Sequence, residues 1–265
     1  ITIPDGITSI GKKAFYKAKN LCEVVMPSSV TIISESAFEE CASLATAPLH
    51  NNIIEIEANA FKKCSSIQSL NLYDSITKIG ECAFQGCSSI KTLRLSESLD
   101  QIQKGTFAQC SSLTSVDFPK SIVKICDGTK TSGQNSSGDG AFAFSDCSNV
   151  RNITLPEGLT NIGSLAFSGC SKLDNVVIPT TIKTINGGTF SHCTSLTNIT
   201  IPESVTTIGD GNSVADFSRN IRNSGAFGYC INLKQIELPN VSSIGKYAFS
   251  QCTRLTDIKT TEGII

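Results

Sequence analysis

The sequence predicts an α/β repeat solenoid, a chain wound into stacked units whose strands pair in parallel from one coil to the next. Three observations predict it. Phenylalanine recurs at one phase: Phe15, Phe38, Phe61, Phe84 and Phe107 stand 23 residues apart, and the column resumes at Phe144, Phe167, Phe190, Phe227 and Phe249. Three residues after nearly every one of them stands a cysteine: Cys41, Cys64, Cys87, Cys110, Cys147, Cys170, Cys193, Cys230 and Cys252. Five residues ahead of the phenylalanine runs a branched aliphatic column, Ile10, Ile33, Ile56, Ile79, Ile102, Ile162, Ile185 and Ile244, with Ile125 and Ile208 standing before two insertions.

The elements of one unit follow from its pattern. From Leu173 it reads L-x-x-V-x-I-P-x-x-I-x-x-I-x-x-x-x-F-x-x-C. The apolar alternation that ends in I-P or L-P suits a short strand, and the approach to the isoleucine column suits a second. The A-F-x-x-C segment is too short for a full helix, so a single helical or 3₁₀ turn is expected there. One unit cannot bury its apolar side alone, whereas stacked units bury each other's. Strands stacked about 4.8 Å apart would then make a curved rod roughly 50 Å long. Residues 1–265 are expected to form a single solenoid of about ten repeats, truncated at both ends because Ile1 and Ile265 fall inside repeats.

The unit L-x-x-I-x-I-P-x-x-V-x-x-I-G-x-x-A-F-x-x-C resembles the BspA-like family of leucine-rich repeats over essentially the whole chain. The segments ITLPEGLTNIGSLAFSGC, from Ile153 to Cys170, and ITIPESVTTIG, from Ile199 to Gly209, carry the resemblance most closely. His50 and Tyr73 depart from it by replacing the usual proline, and the unit around Val241 is one residue short. The resemblance implies a leucine-rich repeat with a parallel β-sheet on its concave face and short strands or 3₁₀ or helical turns elsewhere. It also implies a non-catalytic adhesion or protein-binding platform, extracellular or at the cell surface.

Charge excludes several function classes. With 22 basic and 23 acidic residues the formal charge is −1, which gives no field to attract nucleic acid or an anionic membrane. No apolar run approaches the roughly 20 residues that a spanning helix needs, so direct membrane insertion is not expected. Charged residues are 17% of the chain, below the roughly 25% of an average globular protein. Serine, threonine and asparagine are therefore expected to do the solvating, as in a secreted protein.

Nine of the 12 cysteines share one phase and are expected to pack as small apolar groups inside the core. Pairing within the column is the alternative, since stacked Cα atoms about 4.8 Å apart lie within disulfide range, although their equal direction opposes the bridge dihedral. Cys22, Cys82 and Cys126 lie off the column and are expected to be more exposed. There is no C-x-x-C pair, and His50 and His192 are far apart, so neither a metal site nor any cofactor is expected. Both histidines read as exposed loop residues, and no G-x-S-x-G, P-loop or dinucleotide fingerprint is present, so the chain is not expected to be an enzyme.

A partner would meet the outward rows of the first strand. The most regular of these is Asn152, Asn175 and Asn198, flanked by Thr154, Val177 and Thr200. It offers amide hydrogen bonds to an extended partner, the alternative being a plain solvated sheet. Two insertions of 14 residues, at about 127–140 and 210–224, enter at the same phase three repeats apart. The second carries Phe217, Arg219 and Arg222, an apolar and basic contact. The expected partner is a protein, from a host or a bacterial surface. The alternative role is a spacer that holds other domains away from the cell surface.

Overall fold

A buried aliphatic residue between two exposed polar ones forms a strand three residues long, and the 23-residue period brings each such triplet beside the next. In the computed structural model the chain accordingly winds into a parallel β-solenoid of about ten turns, described here for residues 1–126, 142–209 and 225–260. The longer row forms a five-stranded parallel sheet of Ser69–Asn71, Thr92–Arg94, Ser115–Asp117, Asn152–Thr154 and Asn175–Val177. Leu70, Leu93, Val116, Ile153 and Val176 point inward from it.

The second row consists of two-residue strands that end on the isoleucine column. It falls into three parallel sheets: Ser9–Ile10 to Lys78–Ile79, Gln101–Ile102 to Asn161–Ile162, and Thr184–Ile185 to Ser243–Ile244. Isoleucine sits on isoleucine across each pair, as Ile10 on Ile33 and Ile185 on Ile208. A one-residue slip would turn the whole column to solvent, which fixes the register.

The third side corrects the expected α/β class. Among the described residues there is no helix, and the A-F-x-x-C segment is neither helical nor 3₁₀. Its amides alternate in direction. Ala37, Glu39 and Cys41 bond three residues back within their own coil, whereas Ser36, Phe38 and Glu40 donate to Ala58, Ala60 and Lys62 in the next coil. Left-handed residues two before and two after the phenylalanine, such as Ser36 at φ 57° and Glu40 at φ 62°, impose that alternation. A helix needs every amide to point along its own axis, so this backbone cannot be one.

The turn seam is the one row closed at every interface between the coils of Phe15 and Phe249. Each phenylalanine amide donates to the residue before the next phenylalanine, at 2.7–3.0 Å, from Phe15 to Ala37 through Phe227 to Ala248. The rings follow the backbone into a single file, with centroids 5.1 Å apart at Phe15 and Phe38 and 5.8 Å apart at Phe167 and Phe190. Adjacent planes tilt by no more than 20°. This is offset stacking within the favourable range.

Beside the rings runs a file of free thiols. Each column cysteine donates its S–H to the phenylalanine carbonyl of the preceding coil, from Cys41 to Phe15 at 3.0 Å to Cys252 to Phe227 at 3.1 Å. Cys22 is exposed, and Cys82 and Cys126 are half-buried, as expected off the column.

Serine and threonine do less solvating than composition suggests. Ser29, Ser75 and Ser204 donate to carbonyls of the preceding coil at 2.7 Å, and Thr31, Thr160 and Thr206 donate to that coil from the second row at 3.0–3.4 Å. Ser168 and Ser191 are fully buried, their oxygens 2.8 Å apart. The serine hydroxyls give carbonyls between the strands a partner, and the threonine hydroxyls add a second bond to carbonyls that already accept a backbone amide. Lys12–Glu35 and Lys78–Glu55 link neighbouring coils at the surface, where such pairs contribute less than about 1 kcal/mol.

Left-handed backbone is costly for a residue with a Cβ, by about 1–2 kcal/mol. Gln109 holds φ 60° on an exposed turn where the equivalent residues are Gly86 and Gly169. Gln109→Gly is expected to raise the thermal midpoint by about 2 °C, the relief of strain exceeding glycine's entropy loss of about 0.5–1 kcal/mol. A scanning calorimetry trace with a lower midpoint would contradict that.

Candidate interaction surface

The longer strands place their outward side chains in two rows, because neighbouring strands are parallel and in register. Asn152 lies beside Asn175, and Thr154 beside Val177. Ser115 and Asp117 continue the rows on the other side of Asn152 and Thr154. All of them are exposed, and Val177 keeps 46% of its surface in solvent.

Asn198 and Thr200 are exposed too, but the sheet does not extend to them. Their segment makes no backbone pairing with Asn175–Val177, and Thr200 instead bridges Glu237 in the following coil. The expected ladder of three is thus a registered pair, Asn152 and Asn175, and a third member set off from it. Among the described residues no hydrogen bond ties the side-chain amides of the three to the protein. Phe217, Arg219 and Arg222, and most of both insertions, lie outside the described residues.

Sequence reasoning missed a clamp at the other end of this sheet. Arg94 extends from its strand to hold Asp74 through two contacts of 2.8 and 3.0 Å and donates to the Leu72 carbonyl at 2.9 Å. Asp74 also accepts the Glu97 amide at 2.9 Å. The Arg94 guanidinium and then the Glu97 amide hold the Asp74 carboxyl below the ordinary carboxylate range. The two residues stand 20 apart in the chain, so no short-range pattern announces them. Arg94 is thus paired with Asp74, while the acidic side chain of Asp117 stands exposed beside Thr154 in the outward rows.

Neither histidine is the exposed loop residue expected. Both are half-buried: His50 accepts the Asn52 amide on Nδ1 at 3.2 Å, and His192 stacks on Tyr229 with centroids 4.4 Å apart. His192 is drawn in because it and Tyr229 hold the same left-handed turn position in adjacent coils, which overlays their rings. Burial pushes the column thiols Cys87, Cys110, Cys147, Cys170 and Cys193 well above the ordinary thiol range, so they make poor nucleophiles. Among the described residues no group of three or more His, Cys, Asp or Glu side chains is placed to hold a metal ion. No described helix is long and apolar enough to cross a membrane.

The profile of the BspA type leucine-rich repeat region matches residues 1–72, 32–130, 139–214 and 219–265. The chain belongs to the BspA-type leucine-rich-repeat family. Solved structures with a similar course include a leucine-rich repeat protein from Bacteroides ovatus, at TM-score 0.53 and 23% identity, covering 97% of this chain and 77% of that one. A leucine-rich cell surface protein from Faecalibacterium prausnitzii aligns at TM-score 0.50 and 24% identity, covering 99% of this chain and 79% of that one. Among curated proteins no relative matches. As a BspA-type repeat, the chain owes its isoleucine, phenylalanine and cysteine columns to the stacking of the unit.

Proposed function

We propose that this BspA-type repeat is a non-catalytic, extracellular protein-binding or adhesion module that presents the longer sheet to a partner on a host or bacterial surface. The observation that carries the reading is the pair of exposed amides at Asn152 and Asn175, aligned coil to coil and, among the described residues, without a side-chain hydrogen bond to the protein. Unlike the threonines of the second row, they have hydrogen bonds to give. Thr154 and Val177 add a small, partly apolar flank, and Asn198 and Thr200 extend the face. The insertions, with Phe217, Arg219 and Arg222 in the second, would form its edge. The cell-surface character of the Faecalibacterium protein supports an exposed location.

The unbroken turn seam favours a second reading, a spacer that holds other domains off the surface. A single experiment separates the two. The labelled chain is applied to intact host cells and to bacterial cells, alongside the double variant Asn152→Lys, Asn175→Lys, which sets two like charges side by side on the sheet. A binding module gives saturable retention that the variant loses at least tenfold while keeping its circular dichroism melt. A spacer gives no retention of either.

A further inference from the structure

Each interface between coils is held by up to three seams, the turn seam and the two strand rows. Only the turn seam is closed at all of them. At residues 175–193, as at residues 69–87, the two strand rows open on opposite faces of the same coil. Towards the preceding coil, Asn175–Val177 pairs with Asn152–Thr154, but Thr184–Ile185 has no pairing with Asn161–Ile162. Towards the following coil the pattern reverses: Thr184–Ile185 pairs with Thr207–Ile208, while Asn175–Val177 has no partner strand.

The turn seam stays shut on both faces. Leu165, Phe167 and Gly169 donate to Gly187, Thr189 and Ser191 at 2.8–3.1 Å, and Phe190 and His192 donate to Ala226 and Gly228 at 2.9 and 2.8 Å. We infer that the coil of residues 175–193 is a joint, about which the solenoid on either side rocks with the turn seam as its axis. Backbone groups at an open row must turn to water or to side chains, and a side chain does so here. Asn186 Nδ2 takes the Ile162 carbonyl at 2.7 Å, in place of the backbone amide that closes the row elsewhere.

The joint belongs to the free chain and does not depend on the face binding a partner. Site-resolved hydrogen exchange on the whole protein tests it. The amides of Ile178 and Asn186 are expected to exchange at least tenfold faster than those of Leu72 and Gly209, which hold the equivalent bonds to Arg94 and Ile185 at 2.9 and 2.7 Å. The Phe167 and Phe190 amides are expected to be slower still. Protection at Ile178 and Asn186 equal to that of Leu72 and Gly209 overturns the joint. Asn186→Ala gives a second reading: it should speed exchange at residues 185–188 several-fold with Phe61 unaffected, and unchanged exchange there counts equally against the joint.

Discussion

Phe167→Ala is expected to remove about 3–5 kcal/mol of stability and to split unfolding into two transitions. The ring is fully buried between Phe144 at 5.6 Å and Phe190 at 5.8 Å, with near-parallel planes. Removing it subtracts the transfer energy of a large aromatic side chain and leaves a cavity. The neighbours cannot close that cavity, because the Phe144 and Phe167 amides are fixed to Ala166 and Thr189 at 2.8 and 3.0 Å. In a solenoid each coil couples only to its neighbours, so loosening both faces of one coil weakens the link between the two halves. Urea denaturation followed by circular dichroism reads both effects. A single transition with a loss below about 1 kcal/mol would show that the ring does not stand in the file. Phe249→Ala, at a half-buried position, is expected to cost less.

Raising the pH above about 9 is expected to unfold the protein over roughly one pH unit. Desolvation by burial lifts the thiols of Cys64, Cys87, Cys110, Cys147, Cys170, Cys193 and Cys230 far above their ordinary range, and Cys252, less deeply placed, is pushed up to about 11. The sign follows from proton counting. Below the unfolded thiol range, near 8.5, both states keep their protons and the shift has no effect on stability. Above it the unfolded chain loses protons that the folded chain retains, so stability falls as pH rises, until the folded thiols themselves titrate.

Each fully shifted thiol contributes a fall of about 1.4 kcal/mol per pH unit, and the seven deeply buried ones together about 10 kcal/mol, which matches the whole stability of a typical domain. A titration by circular dichroism in reductant should show a steep transition between about pH 9 and 10.5. Cys147→Val keeps the volume and removes one titrating group, so its alkaline transition should be shallower by about one proton. A fold that persists to pH 11 would mean that the thiols are not buried as free acids.

The columns explain why so much of the fold is legible in the chain. Phe38, Cys41 and Ile33 recur at a fixed interval, and a fixed interval in a coiled chain means vertical alignment, so the inward files and their register follow from spacing alone. The outward rows follow for the same reason: Asn152 beside Asn175 is the alternation of a strand combined with the period. The turn was misjudged because Ser36 and Glu40 carry no mark of a left-handed backbone. Nothing local tells a residue to donate its amide to the next coil instead of its own.

The chain by itself determined which residues face inward and which coil meets which, because both are consequences of periodicity. Tertiary structure decided the rest: which strand rows close, which carbonyls the hydroxyls of Ser29 and Thr31 satisfy, where Arg94 spends its charge, and that Asn198 stands apart from Asn152 and Asn175. These depend on the separation of neighbouring coils, and a hydrogen bond forms or fails within a few tenths of an ångström. A repeating pattern fixes the order of the coils but not their spacing at that scale.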